Sequence, residues 1–386
     1  NSAKYYSGAS IAPTGGTITT YTDSGTDYIV HSFLASGDFV TLADGAADYL
    51  IVAGGGGGGG YALGGGAGAG GLLTAAALST TAQTYAIVVG DGGAGDGSSN
   101  GTGTNGVDST AFGLTAVGGG GGSSGVYGDS ASGGSGGGGN GYGTGNKGSD
   151  GTAGQGYAGS DGQEYPIYGA GAGGGAGAAS VTNPVSEDGA VGGIGLQNLY
   201  RTGSNVYYAG GGGGSRYGSG TAGAGGLGGG GAAYPGVGTG TAGTANTGGG
   251  GGAGDTSGGA GGSGIVVIRF VDGVLNPFND MTLVSNSTTS ESVPTKGDLV
   301  MTYTNGLGTA TVNTDIKAYV SRDNGTTYTQ LTLTDQGDTG GHTILSGHDL
   351  DISAQPSGSA MRYKIETLNQ SASKETRIQA VSLGWS

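Results

Sequence analysis

The sequence contains no cysteine, and among its 386 residues there are only seven prolines, five phenylalanines, three histidines and one tryptophan. Without cysteine there is no disulfide framework, no thiolate nucleophile and no Cys-based zinc site. Positive charge is scarce too: 12 Lys and Arg stand against 27 Asp and Glu, a net charge of −15. Nucleic-acid binding calls for a basic stripe, and none is present. The acidic residues are scattered through turn-like stretches, where they keep a large surface solvated. No apolar run approaches the roughly 18 residues that a membrane-spanning helix needs, so no membrane insertion is expected. The opening Asn1-Ser2-Ala3-Lys4-Tyr5-Tyr6 carries no apolar leader, and a start at Asn1 fits a removed or missing upstream segment.

What the chain has instead is glycine: 101 residues, of which 84 fall within the 211 from Gly54 to Gly264. Composition alone would call that stretch disordered. Its apolar area is too small to offset about 1–2 kcal/mol of chain entropy per residue with an oil-like core. The pattern argues otherwise. Strand-like segments run directly into glycine in "DYLIVAGGGGGGG", "TYAIVVGDGGAG", "GLTAVGGGGG" and "NVYYAGGGGGS", and the region closes with the mirror arrangement "GGAGGSGIVVIRF". A solvated linker has no reason to couple glycine to strand formers.

Helix costs about 1 kcal/mol per glycine relative to alanine. Collagen requires glycine at every third position with abundant proline, and neither holds here. The remaining ordered form is the extended polyglycine-II helix. Lacking Cβ, such helices can lie side by side and hydrogen-bond laterally, with weak Cα–H···O contacts in addition. At about 3.1 Å per residue, the seven-glycine run Gly54–Gly60 spans roughly 20 Å. On this reading the glycine is itself the core.

The chain divides into three zones. Residues 1–53 form a β-strand lead-in, in which Thr26–Thr41 alternates apolar and polar residues and reads as a hairpin turning at Ser36-Gly37-Asp38. His31 sits in that pattern as a half-buried strand residue. Residues 54–271 form the glycine-rich polyglycine-II domain. A linker at 272–277, within "VDGVLNPFND", leads to residues 278–386, which hold only ten glycines. There Leu299–Thr304, Thr314–Ser321, Thr327–Leu333, Ala360–Leu368 and Thr376–Trp385 read as strands, with Asn305-Gly306 and Asn324-Gly325 as turns. The expected fold class is mainly β and irregular: packed polyglycine-II helices framed by short strands, plus a C-terminal antiparallel β-sandwich of jelly-roll type, with almost no α-helix.

Motifs that carry chemistry are weak. GxGxxG triplets are guaranteed by glycine abundance and lack a strand–helix setting, and "GNKGS" around Lys147 lacks the phosphate-loop ending. In "GGAGDG" and "GGAGDT", Asp96 and Asp255 fall one place early for a calcium β-roll, and no tandem repeat is present. "SRDNGTTY", Ser321–Tyr328, is similar to the Asp-box, a structural hairpin, with Tyr328 in place of tryptophan. His342 and His348 beside Asp349 and Asp351 could hold a metal, but two loop histidines beside a strand are the simpler reading. No nucleophile elbow or HExxH motif occurs. No catalysis, metal or cofactor is therefore expected.

Binding is the better expectation, in the two glycine-poor insertions at 155–168 and 180–208. These collect Tyr157, Tyr165, Tyr168, Tyr200, Arg201, Tyr207 and Tyr208, with Glu187 and Asp188 as acceptors. Tyrosine offers a rigid apolar face with a polar tip, suited to sugar rings or a receptor groove. Tyr165, Tyr168, Tyr200, Arg201, Tyr207 and Tyr208 are the candidate receptor-binding residues.

The ordered pieces "DYLIVAGGGGGGG", "GAGAGGLL", "YAIVVGDGGAG", "TAVGGGGG" and "GGSGIVVIRF" resemble the glycine-rich domain common in tail-fibre and other virion proteins of marine phages. "GGTITTYTDSGTDYIVHSFLASGDF" is similar to the lead-in often found before it, so the resemblance covers about residues 10–271. The segment from Asp298, "DLVMTYTNGLGTATVNTDIKAYVSRDNGTTYTQLTLTDQG", resembles a domain recurrent in phage virion proteins. A related architecture, in tip adhesins of T-even-type phages, stacks polyglycine-II helices and displays variable receptor-touching loops. The resemblance implies a fibre or adhesin subunit at the virion surface, homotrimeric and joined to other virion proteins. Such a subunit would bind a bacterial glycan or outer-membrane protein. A purely structural spike or capsid-decoration protein, or an ice-binding protein, are the alternatives.

Overall fold

The computed structural model describes residues 13–61, 63–97, 101–125, 128–143, 146–180, 187–272, 280–370 and 374–386. These contain strands, turns and extended backbone, and no helix of the α or 3₁₀ type. They fall into two compact units, residues 13–272 and 280–386. The proposed linker at 272–277 lies, apart from Asp272, outside the described residues.

In the first unit the strands are β1 (Thr17–Asp23), β2 (Thr26–Phe33), β3 (Gly37–Thr41), β4 (Gly45–Val52), β5 (Leu72–Thr80) and β6 (Gln83–Ile87). They continue as β7 (Ser109–Ala111), β8 (Leu114–Ala116), β9 (Leu196–Asn198), β10 (Val206–Tyr208) and β11 (Ile265–Val271). The main sheet has the order β1-β2-β11-β4-β5, all antiparallel, so its central strand is the last in sequence. The alternating pleat divides β11 between two cores. Val266, Ile268 and Phe270 pack with Phe33, Phe39, Ile51 and Ile87 on one face. Ile265 and Val267 pack with Val30, Leu50, Val52 and Tyr208 on the other.

The hairpin expected over Thr26–Thr41 does not form. Both halves are strands, but β2 pairs with β1 and β11, while β3 pairs with β6 in a separate two-stranded sheet. The longer ladder with β11 wins β2, and Phe39 of β3 turns to an aromatic cluster with His31, Tyr85 and Phe112. His31 is fully rather than half buried. Its Nδ1 lies 2.7 Å from the Gly15 carbonyl, and its ring stacks on Phe270.

The glycine runs shuttle away from this sheet and back. The first, Gly54–Gly60, continues straight out of β4 and shows the packing rule. Its amides donate in threes: Gly54 and Gly57 to the carbonyls of Val107 and Thr104, Gly55 and Gly58 to Gly262 and Gly259, Gly56 and Gly59 to Gly68 and Gly65. The partner number falls as the run advances, so these three neighbours are antiparallel. Its carbonyls accept in threes from Gly119 and Gly122, from Gly93 and Asp96, and from Gly251 and Gly254. Here the partner number rises, so these three are parallel. All twelve bonds measure 2.9–3.0 Å. A three-residue period with six neighbours is the polyglycine-II lattice, and a Cβ built on any residue of the run would sit 1.7–2.3 Å from a neighbouring carbonyl oxygen. The interior of the glycine bundle is hydrogen-bonded backbone.

The second unit continues the numbering with β12 (Met281–Val284), β13 (Thr288–Thr289), β14 (Lys296–Leu307), β15 (Ile316–Ser321) and β16 (Thr329–Leu331). It ends with β17 (Thr334–Thr339), β18 (His342–Asp351), β19 (Ala360–Thr367) and β20 (Glu375–Trp385). Two antiparallel sheets, β12-β19-β15-β16 with β13 on β19, and β17-β18-β14-β20, form a sandwich. Leu299, Met301 and Leu345 from one sheet meet Ile316, Val320, Met361 and Ile365 from the other. Asn305-Gly306 is a bulge inside β14 rather than a turn. Asn324-Gly325 does turn, with φ of +63° and +84°. The Asp-box-like stretch knits that turn, because Asp323 Oδ1 accepts from the Ser321 hydroxyl at 2.7 Å and the Thr327 amide at 2.9 Å.

Candidate functional site

The glycine runs carry the chain between two ends of the first unit, and connecting segments gather there. The sheet marks one end, where Ala53 bonds Gly71 and Ala209 bonds Thr247. The other end is fixed by Ser215 bonding Gly64, Gly141 bonding Leu63, Ala170 bonding Ser215 and Gly254 bonding Gly59. Roughly 20 Å of polyglycine-II helix separates the two.

The candidate residues divide between these ends. Tyr165 and Tyr168 lie at the far end, where Tyr165 is 77% exposed. The Tyr168 ring is the hub of a cluster, 5.5 Å from Tyr142, 5.8 Å from Tyr165 and 4.8 Å from Tyr217 between centroids. Lost hydration and the neighbouring phenols push its hydroxyl pKa up. Tyr217 and Tyr142 also line a cleft of about 410 Å³, with Tyr234, Leu63, Ser215, Arg216, Val237 and Asp255. None of these cleft residues was singled out from sequence as a binding residue.

Tyr200, Arg201, Tyr207 and Tyr208 lie instead at the sheet end, on and between β9 and β10. Tyr208 is buried with Leu50, Val52 and Ile265, and burial raises its pKa against the opposing pull of the Arg201 charge. The Tyr200 ring covers the Arg269 guanidinium at 4.2 Å, with Tyr28 equally close. Arg269 faces Asp48 across the β11–β4 ladder, donating to its carboxylate from Nε at 2.9 Å and to the Tyr21 hydroxyl at 2.7 Å. Tyr21 donates in turn to the Leu199 carbonyl at 3.4 Å. These contacts fasten the β9–β10 segment to the sheet. Tyr157 is exposed but close to the same end, two residues beyond Gln155, whose carbonyl accepts from Leu72.

Glu187 and Asp188 serve the scaffold of the far end. The Glu187 carbonyl accepts from the Tyr217 amide at 2.8 Å and its carboxylate from the Ser219 amide at 3.3 Å, while Asp188 accepts from Thr221 at 2.5 Å. Part of the second insertion, residues 181–186, lies outside the described residues. Among the described residues no group of three or more His, Asp or Glu is placed to hold a metal ion. His342 and His348 fall on β18 rather than in a loop.

The strand-bounded bundle of glycine helices defines a class. A family model described as a glycine-rich domain matches residues 34–271, more than half of the chain, and the chain belongs to that family. No curated protein matches the chain.

Proposed function

We propose that this chain is a virion fibre or adhesin subunit, a homotrimer at the phage surface that attaches to a bacterial glycan or outer-membrane protein. The observation that carries it is the gathering of exposed tyrosines at the end of the glycine bundle remote from the sheet. A lattice of backbone hydrogen bonds gives those loops a rigid base, and rigid scaffolds with functional loops are a recurrent division of labour. Aromatic side chains on such loops provide contact area at low entropic cost. The sequence resemblance of both units to phage virion domains supports the virion setting. A purely structural spike would have the same bundle without use for exposed rings.

The test is binding of the fluorescently labelled full chain to panels of bacterial cells and outer-membrane vesicles. Simultaneous Tyr165→Ala, Tyr168→Ala and Tyr217→Ala should abolish binding to a positive strain with little change in melting temperature. Binding that survives this triple replacement would move attachment elsewhere, and absence of binding to every strain would favour the structural spike.

A further inference from the structure

We infer that the far-end cleft is a subsite for a neutral hexopyranose, a role that rests on the attachment function proposed for the chain. Its walls are three tyrosine rings, Tyr142, Tyr217 and Tyr234, each roughly half exposed. A pyranose presents an apolar C–H face to such rings and hydroxyls around its rim. At about 410 Å³ the cleft is within the range that encloses small molecules, enough for one or two sugar rings.

Polar groups complete the match. Ser215 also lines the cleft, but its Oγ is buried away from the opening. Asp255 supplies a carboxylate that accepts from vicinal hydroxyls. Arg216 would ordinarily suggest an anionic ligand, but its nitrogens are turned to loop carbonyls. Nε donates to Pro235 at 2.9 Å, Nη2 donates to the same oxygen and Nη1 to Gly218. Its fork holds the 216–220 and 234–237 loops together instead of receiving a carboxylate. With Asp255 beside it and a chain charge of −15, an acidic sugar is repelled.

The experiment is saturation-transfer NMR and calorimetry on the full chain with methyl glucoside, mannoside and galactoside, and methyl glucuronide as the acidic comparator. At least one neutral glycoside should bind with a dissociation constant on the order of millimolar, as single sugars on open sites do. The glucuronide should bind at least about tenfold more weakly. Tyr217→Ala should erase the signal, and Asp255→Asn, a near-isosteric change, should weaken it about tenfold while the melting temperature holds. No neutral glycoside binding at tens of millimolar, or equal binding by Tyr217→Ala, overturns the subsite. Equal or tighter glucuronide binding overturns its neutral specificity. Cell attachment that no hexoside competes leaves adhesion standing and removes this subsite, whereas hexoside binding without cell attachment keeps the subsite and removes adhesion.

Discussion

Gly57→Ala adds a single methyl group to the centre of the first glycine run. That carbon would lie 1.9 Å from the Ala94 carbonyl oxygen and 2.3 Å from its carbon. Both are backbone atoms of a neighbouring helix, so no side chain can swing aside. The neighbour must retreat by at least about 1 Å to restore contact distance, at an overpacking cost of about 1–3 kcal/mol or more. Retreat also strains the bonds that radiate from Gly57, its amide to Thr104 at 2.9 Å and its carbonyl from Gly122 at 3.0 Å. Each buried backbone bond lost contributes about 0.5–1.5 kcal/mol, more if the group stays unpaired. The expected loss is therefore about 3–5 kcal/mol, a large part of a typical domain's 5–15 kcal/mol. Gly57→Val should be worse. Gly37→Ala is the control, since its Cβ would meet only Phe33 at 4.0 Å and should change stability by less than about 0.5 kcal/mol. Denaturant unfolding followed by circular dichroism decides the matter. If Gly57→Ala unfolds at the same midpoint as Gly37→Ala, close backbone packing in this run is refuted.

Arg269→Ala should destabilise by about 3–5 kcal/mol, because Asp48 and two stacked rings lose their buried cation, and hydrogen exchange should show the 196–208 segment loosened first. Unchanged protection there would show that the segment is held by other contacts. Tyr208→Ala should cost about 3–5 kcal/mol yet leave sugar or cell binding intact per folded molecule, the opposite of Tyr217→Ala. His31 is buried with its pKa lowered by desolvation, so the unfolded chain takes up the proton more readily. Its contribution is complete above about pH 6.5 and is lost as the pH falls below that value, a slope that His31→Gln should flatten in pH-dependent unfolding. Asp315 works in a lower window. Hydrogen bonds from Lys374, Thr311 and Asn369 hold its pKa down to about 2 from 3.8. About 2 kcal/mol should therefore be present above pH 4 and disappear as the pH falls toward 2, and Asp315→Asn should abolish that dependence.

The coupling of strand formers to glycine was visible along the chain because it is local, and it led directly to the glycine core. Pairing partners were not. β2 is claimed by β11, whose residues lie more than two hundred positions away, and nothing within Thr26–Thr41 records that competition. β17 and β18 were overlooked because polar, glycine-broken stretches such as Thr334–Thr339 carry little hydrophobic alternation. The division of the candidate residues between two ends was illegible for a different reason. Tyr168 and Tyr200 look like neighbours when insertions are grouped by composition, yet they sit at opposite ends of the bundle. Counting glycine runs does not separate them, because the successive runs 118–122 and 133–139 are parallel, as are 170–175 and 190–195, so a run is not a reliable half-turn. Arg269 offered a signal of its own: a lone charge in "GIVVIRF" needs a buried partner.

The lattice around Gly54–Gly60 also governs when this protein can fold. The run's partners include Gly259 and Gly262, and the sheet that anchors the run is closed in its middle by β11. Neither exists until the chain has been made almost to residue 271. Early glycine runs must therefore wait, solvated and unpaired, for partners that arrive last, and such long-range contacts make folding slow. Intermediate lengths have no stable resting place, because every missing helix leaves open rows of donors and acceptors on several neighbours at once. Shortening the unit from its C-terminal side would thus remove the keystone of the whole bundle, whereas lengthening a far-end loop would leave the assembly order untouched.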